Sequence, residues 1–213
     1  MKEPRRAPRD PGLPGIERSE RPGAASSDPL RRVEIVLWDG VELLDFAGPG
    51  QVLATAGFQV RTVAARPGSI VSQGFLRVEP EGVLGAGPAP DLLVVPGGST
   101  ERAVADPVLV EGVRTAASGA RLVFSVCTGA LVLAAAGLLD GLEATTWHGA
   151  LDRLRVAAPR TRVVEGVRWV DNGRIVTAAG VSAGIDAALH LVGRLRGDEA
   201  REATARYMEY PAP

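Results

Sequence analysis

The sequence of 213 residues holds a single thiol, and its setting is the most chemically suggestive feature of the chain. Cys127 closes the apolar run Arg121 to Val126 and is followed at once by an Ala- and Leu-rich stretch, Thr128 to Leu139. Ser125-Val126-Cys127-Thr128-Gly129 therefore puts a sulfur between a buried strand and a helix, with small residues on either side. This is the pattern of a nucleophile elbow, a sharp turn that presents one side chain at the top of a sheet. A helix start offers partial positive charge and unpaired N–H groups, which would favour the thiolate and lower the thiol pKa. A lone cysteine also serves as a small core residue, so position rather than identity points to chemistry.

Two glycines end the neighbouring apolar strand. In Pro96-Gly97-Gly98 the lack of Cβ atoms would let backbone N–H groups converge on a developing negative charge, although a plain turn fits equally. A sulfur nucleophile also needs a proton donor or base at the same sheet edge. Asp45 is the leading candidate, placed after the first strand and before the helix that Pro49 opens, with helix capping as its alternative duty. Glu42 and Asp39 rank below it, as surface or turn residues. His148, behind Thr145-Thr146-Trp147, is placed to face the site and pair with the thiol, and with Trp147 it is assigned to the substrate pocket. His190, between Leu189 and Leu191, suits a structural role in a helix. Two histidines and one cysteine, far apart in sequence, lack ligand spacing, so no metal centre is expected.

These residues need elements that bring them to one edge. Val33 to Trp38 is a β-rich run ending in the turn signal Asp39-Gly40. Leu43 to Pro49 follows, with Pro49 near the first turn of a helix directed towards Gly57. Phe58 to Ala64 predicts a second strand and Ile70 to Val78 an extended pair, while Asp91 to Val95 and Arg121 to Val126 are the continuous apolar strands a parallel sheet demands. Helices are predicted over Pro107 to Ala117, Thr128 to Leu139 and, as the last of the body, Ser182 to Arg196. Val163 to Val170 and Arg174 to Ala178 flank Asp171-Asn172-Gly173, a hairpin signal. The alternation gives an α/β fold, a mostly parallel sheet with helices on both faces and right-handed crossovers. Such sheets bind ligands outside the carboxyl ends of their strands, where Cys127 is expected.

Hydrophobic residues make up 46% of the chain but aromatic ones only 4%, so Val, Leu and Ala must build the core. One domain of this length should bury roughly 70% of the surface its unfolded chain exposes. With 24 Lys and Arg against 25 Asp and Glu, no general field draws the chain to nucleic acid or anionic membranes. One cysteine closes no internal disulfide and fits a reducing cytosol. No apolar run approaches the roughly 20 residues of a membrane span, and no apolar signal segment follows Arg5-Arg6, so a soluble cytoplasmic protein is expected. Residues 1–29, dense in Pro, Gly, Arg, Glu and Ser, predict a disordered arm ahead of one catalytic domain over residues 30–213.

Several segments recur together: Leu44-Asp45-Phe46-Ala47-Gly48-Pro49, Val95-Pro96-Gly97-Gly98, Ser125-Val126-Cys127-Thr128-Gly129-Ala130, Ala135-Ala136-Gly137-Leu138-Leu139, Ala144-Thr145-Thr146, Val181-Ser182-Ala183-Gly184-Ile185-Asp186 and Glu209-Tyr210-Pro211-Ala212-Pro213. Through them the chain resembles the DJ-1/PfpI superfamily, and within it most closely the isonitrile hydratase branch. The resemblance implies a flavodoxin-like fold akin to class I glutamine amidotransferases, a homodimer and no cofactor. It implies Cys127 as nucleophile with Asp45 and Thr128 as partners, hydrating an isonitrile to an N-substituted formamide through a cysteine thioimidate. The Gly97 and Gly98 amides would orient substrate and intermediate.

Protease-like and chaperone-like branches carry histidine directly after the cysteine, where this sequence has Thr128. Hydratases of the branch read Thr-His-Trp where Thr146-Trp147-His148 stands, a swap that repoints both rings. Relatives fused to an AraC-type DNA-binding domain continue into helix-turn-helix segments, and none is expected here. They supply the alternative reading, a small-molecule-sensing or redox-responsive domain without turnover. Glyoxalase-like action on reactive aldehydes is a further alternative.

Overall fold

The branched aliphatic runs form strands because they can be buried on both faces at once. The computed structural model describes residues 31–211, and the arm predicted over residues 1–29 lies outside them. In chain order the first half comprises β1 (Arg32–Leu37), α1 (Leu43–Thr55), β2 (Gln59–Ala64), β3 (Ile70–Ser72), β4 (Leu76–Val78), β5 (Gly82–Val83), β6 (Leu92–Val95), α2 (Thr100–Ala105) and α3 (Pro107–Gly119). The second half comprises β7 (Leu122–Val126), α4 (Gly129–Ala135), β8 (Glu143–Ala144), α5 (Leu151–Ala157), β9 (Arg162–Val163), β10 (Trp169–Asp171), β11 (Ile175–Ala178), α6 (Ala183–Arg196) and α7 (Asp198–Tyr207).

The main sheet has seven strands in the order β10-β11-β7-β6-β1-β2-β5, and all its pairings are parallel except that of β10 with β11. Every residue of β6, β7 and β11 is buried, which requires cover on both faces. One helical group, α1 with α6 and α7, packs together, and α2 to α5 form another around α4. In β1 the buried Glu34 interrupts the aliphatic run, and its carboxylate is satisfied by the Arg61 guanidinium of β2. The α/β class, the parallel sheet and the β10–β11 hairpin thus match the sequence reading, as does the antiparallel β3–β4 pair.

The order of strands locates the crevice. β1 leads to β2 on one side, whereas β6 lies on its other side, so the order in which strands are added reverses between β1 and β6. Their carboxyl ends are stitched together: Glu42 N–H donates to Gly97 O at 2.9 Å and Ser99 N–H to Gly40 O at 2.9 Å. Asp45, Gly97 and Cys127 follow β1, β6 and β7 respectively, and so meet at this reversal.

Several boundaries differ from expectation. Pro49 lies inside α1 rather than in its first turn, because burial of Phe46, Pro49, Val52 and Leu53 outweighs the lost backbone bond. α4 stops at Ala135 instead of Leu139, since Gly137 takes a φ of +71°. The strand predicted over Val163 to Val170 is split into β9 and β10 around Gly166, whose φ is +72°. α6 is not the last helix: Gly197, at φ +88°, breaks the chain and the polar α7 follows. Among the described residues no helix is long and apolar enough to cross a membrane.

Gly129 shows how tightly α4 seats on the sheet. A Cβ there would stand 2.1 Å from Val95 O and 2.5 Å from Pro96 O. Gly129→Ala is expected to force α4 from the end of β6 and destabilise the fold by about 3 kcal/mol. Urea denaturation measures this directly, and a change below about 0.5 kcal/mol would show that the seat is not rigid.

Candidate active site

The elbow is held from both sides of its central residue. Cys127 adopts φ +56°, a left-handed conformation that a side-chain-bearing residue keeps only when neighbours enforce it. Its N–H is shared between Ala178 O at 3.1 Å and Ala179 O at 3.0 Å, while its carbonyl accepts the Thr146 hydroxyl at 2.7 Å. The thiol is only 7% exposed, and the N–H groups of Thr128 and Val181 are directed at the sulfur. Val181 is itself left-handed, at φ +46°.

Asp45 meets this sulfur from the first turn of α1. Its carboxyl is wholly buried; Oδ2 accepts the Gly97 N–H at 2.9 Å, and Oδ1 has no hydrogen-bond partner among the described residues. Burial pushes its pKa up to about 7, opposed by the Gly97 N–H and reinforced by the nearby Glu42 carboxylate; the Cys127 thiol also borders it. Asp45 does not cap α1, because the capping position is Glu42 and Asp45 bonds across to β6 instead.

Burial and then the Asp45 charge push the Cys127 thiol up to about 12, against the weaker pull of the Thr128 and Val181 N–H groups. The expected lowering by a helix start is therefore reversed: two backbone donors cannot offset removal from water beside a carboxylate. The resting state is a thiol poised against a carboxyl group.

The two glycines after β6 act differently from expectation. The Gly97 N–H is engaged by Asp45, and the Gly98 N–H donates to Thr128 Oγ1 at 3.0 Å, while that hydroxyl donates back to Gly98 O at 3.1 Å. Neither amide is an open oxyanion donor in this arrangement; together they fix Asp45 and Thr128. A Cβ on Gly97 would lie 2.6 Å from Thr128 N and Oγ1 and 2.8 Å from Asp45 Oδ2, so glycine lets the two partners close over the strand end. The donors actually directed at the sulfur are Thr128 N–H and Val181 N–H.

Trp147 and His148 stand on the rim of a cleft of about 400 Å³, their ring centroids 4.9 Å apart. No hydrogen bond joins His148 to Cys127 among the described residues, so the expected Cys-His pair is replaced by Cys127 with Asp45. His190 binds Asp171 at 2.7 Å and stacks on Trp169, the structural role expected of it. Glu42 accepts from Gln73 at 2.5 Å and Asp39 from Val71 N–H at 2.8 Å, which makes them loop anchors. Thr146 and Val181 were not singled out from sequence, because their contributions run through a backbone carbonyl and a backbone N–H. No cluster of three metal-ligating side chains occurs among the described residues.

With this geometry in view, comparison with known proteins is decisive about kinship. Residues 31–194 match the DJ-1/PfpI family. The chain belongs to that family. An isonitrile hydratase of Pseudomonas putida is 36% identical over 188 residues, covering 85% of this chain and 80% of the relative. The HTH-type transcriptional regulator CdhR of Pseudomonas aeruginosa is 28% identical over 170 residues, and the match covers 77% of this chain but 50% of the regulator. Among solved structures, a ThiJ/PfpI family protein from Pseudomonas syringae superposes with a TM-score of 0.81 at 26% identity, covering 92% of this chain and 84% of that one. Proteins similar to this chain therefore include both an enzyme and a transcriptional regulator.

The elevated Asp45 pKa has a stability consequence. Between about pH 4 and pH 7 the unfolded chain has released this proton and the folded chain retains it, so stability falls as pH rises through that window. The deficit then persists at higher pH. Asp45→Asn removes it, and the variant is expected to melt above wild type at pH 8, by at most on the order of 4 kcal/mol, with the gain vanishing near pH 4. Thermal melts across pH check the trend; a gain independent of pH would assign the effect to packing instead.

Proposed function

We propose that this DJ-1/PfpI domain is an isonitrile hydratase, and the buried carboxyl of Asp45 against the Cys127 thiol is the observation that carries the reading. Similarity to the Pseudomonas putida isonitrile hydratase supports it, since the match extends over most of both chains. The terminal carbon of an isonitrile must receive both a nucleophile and a proton. A thiol facing a carboxylate supplies both.

In the first half-reaction the Asp45 carboxylate takes the Cys127 proton as sulfur attacks the terminal carbon, then delivers that proton to the same carbon. The product is a thioimidate, R–N=CH–S, with no net change in charge. In the second half-reaction Asp45 accepts a proton from water as the water oxygen adds to this carbon, and hands that proton to the nitrogen. Collapse breaks the carbon–sulfur bond as the new hydroxyl gives up its proton, which Asp45 relays to sulfur, and R–NH–CHO is released. The N–H groups of Thr128 and Val181, already aimed at the sulfur, steady charge that develops there. Thr128 also holds the β6 end through its two bonds to Gly98. Every atom in this cycle comes from the two side chains, the isonitrile and water.

Similarity to CdhR favours a second reading, a small-molecule-sensing domain that uses the pocket without turnover. The two readings part on product formation. Purified chain given an alkyl isonitrile is expected to yield the formamide, followed by chromatography, and Cys127→Ala to lose at least about a thousandfold in kcat. Because Asp45 must be ionised to take the thiol proton, kcat/KM should rise about tenfold per unit up to about pH 7 and then level. Ligand-induced thermal shifts without formamide would instead support sensing, and turnover of methylglyoxal alone would move the activity to aldehydes.

A further inference from the structure

Beside the elbow, one cleft has a single permanently charged group on its wall among the described residues. Its inner side begins at Thr146, whose hydroxyl holds the Cys127 carbonyl, and at Val181, whose N–H is directed at the sulfur. Cys127 does not itself line this space of about 400 Å³, but Thr146 and Val181 join the two, so the body of a molecule reacting at the sulfur would extend into it. Trp147, Leu151 and Val167 give the cleft apolar surface, and Arg168 and His148 are the basic side chains on its wall. Among the described residues no aspartate or glutamate lines it.

Arg168 is pre-set for a ligand of fixed shape. Its Nε donates to Asp186 Oδ2 at 2.6 Å, and its Nη2 reaches the same oxygen and, at 3.3 Å, the Ser182 hydroxyl. Asp186 is buried and its other oxygen accepts the Tyr210 hydroxyl at 2.7 Å. One edge of the guanidinium is thereby locked, while Nη1 has no hydrogen-bond partner among the described residues and the side chain remains half-exposed. A planar cation held at one edge offers its other donors to a carboxylate without first losing side-chain freedom.

Resting on the hydratase reading, we propose that Arg168 is a specificity-determining residue and that the preferred substrates are isonitriles bearing a carboxylate, with an apolar body between the two groups. One fixed cation with apolar walls suits a monoanion better than a phosphate dianion. The chain's net charge of −1 gives anions no general attraction, so any preference must arise locally.

The test compares isonitrile carboxylates of graded chain length with their methyl esters, which keep the carbon skeleton and remove the charge. Wild type is expected to favour the acid at its best length by about tenfold in kcat/KM, the difference lying in KM. In Arg168→Met the acid-to-ester ratio should fall to near one, and Arg168→Lys should restore part of it. Because loss of Arg168 strands the buried Asp186, the double variant Arg168→Met with Asp186→Asn provides a folded alternative that keeps a partner for Tyr210. In parallel, calorimetry on Cys127→Ala measures binding of N-formyl amino acids against their methyl esters. An acid-to-ester ratio near one in wild type, with isonitriles turned over, overturns this inference and leaves the hydratase intact. Arg168-dependent carboxylate binding without turnover of any isonitrile ends the hydratase reading but retains the carboxylate site. Neither turnover nor carboxylate preference in binding overturns both.

Discussion

A carboxyl group sealed from water beside a thiol is an unfavourable neighbour, and the strand ends around it are arranged to make the placement tolerable. Asp45 receives one backbone hydrogen bond, from Gly97, and a second would pull its proton affinity back towards that of an ordinary aspartate. That single bond demands a glycine at position 97, because any side chain would strike Thr128 and the carboxyl itself. Gly98 is then clamped to Thr128 in both directions and bridges back to Val41. The ends of β1, β6 and β7 thus form one interlocked unit, and the unusual titration of the pair is a property of that unit.

The elbow adds a second constraint of the same kind. A left-handed cysteine stays in place because β11 fixes its amide and Thr146 fixes its carbonyl, leaving the side chain as the free part of the residue. Thr146 and Ala179, which follows β11 and shares the Cys127 amide, also line the neighbouring cleft, so groups that aim the sulfur shape the space beside it. A different cleft, of about 290 Å³, lies near the start of β1 and β2 against Pro88 and Pro90, at the opposite edge of the sheet from the thiol. Its place at the amino ends of the strands makes it a poor candidate for the chemistry.

Much of the fold was legible because its central strands are continuous aliphatic runs, and runs of that kind have few other uses. The positions of Cys127, Asp45 and Gly97 at strand ends could be read in the same way. The titration was not legible, because it depends on how deeply Asp45 and Cys127 are buried together, which no local pattern encodes. Helix signals implied an ionised sulfur, and desolvation reversed the sign. The Gly97 and Gly98 amides looked available in sequence because a hydrogen-bond partner from another strand end is invisible there. α7 escaped notice for a different reason: it is largely polar, follows a glycine break, and buries Thr204 and Ala205 where α3 and α6 bury leucine and valine.

Residues 45, 97 and 127, which follow β1, β6 and β7, lie far apart along the chain, so the pair is not assembled until the parallel sheet has closed. Parallel pairing of this kind is slow, because distant segments must be brought together before their contacts are gained. Until then the sulfur is an ordinary solvated cysteine, ionising near pH 8.5 and open to oxidants. Completion of the sheet withdraws it from that hazard by raising its proton affinity. Burial on folding thus lowers the thiolate fraction that oxidants attack, and the native state keeps its sulfur protonated until a reactant arrives.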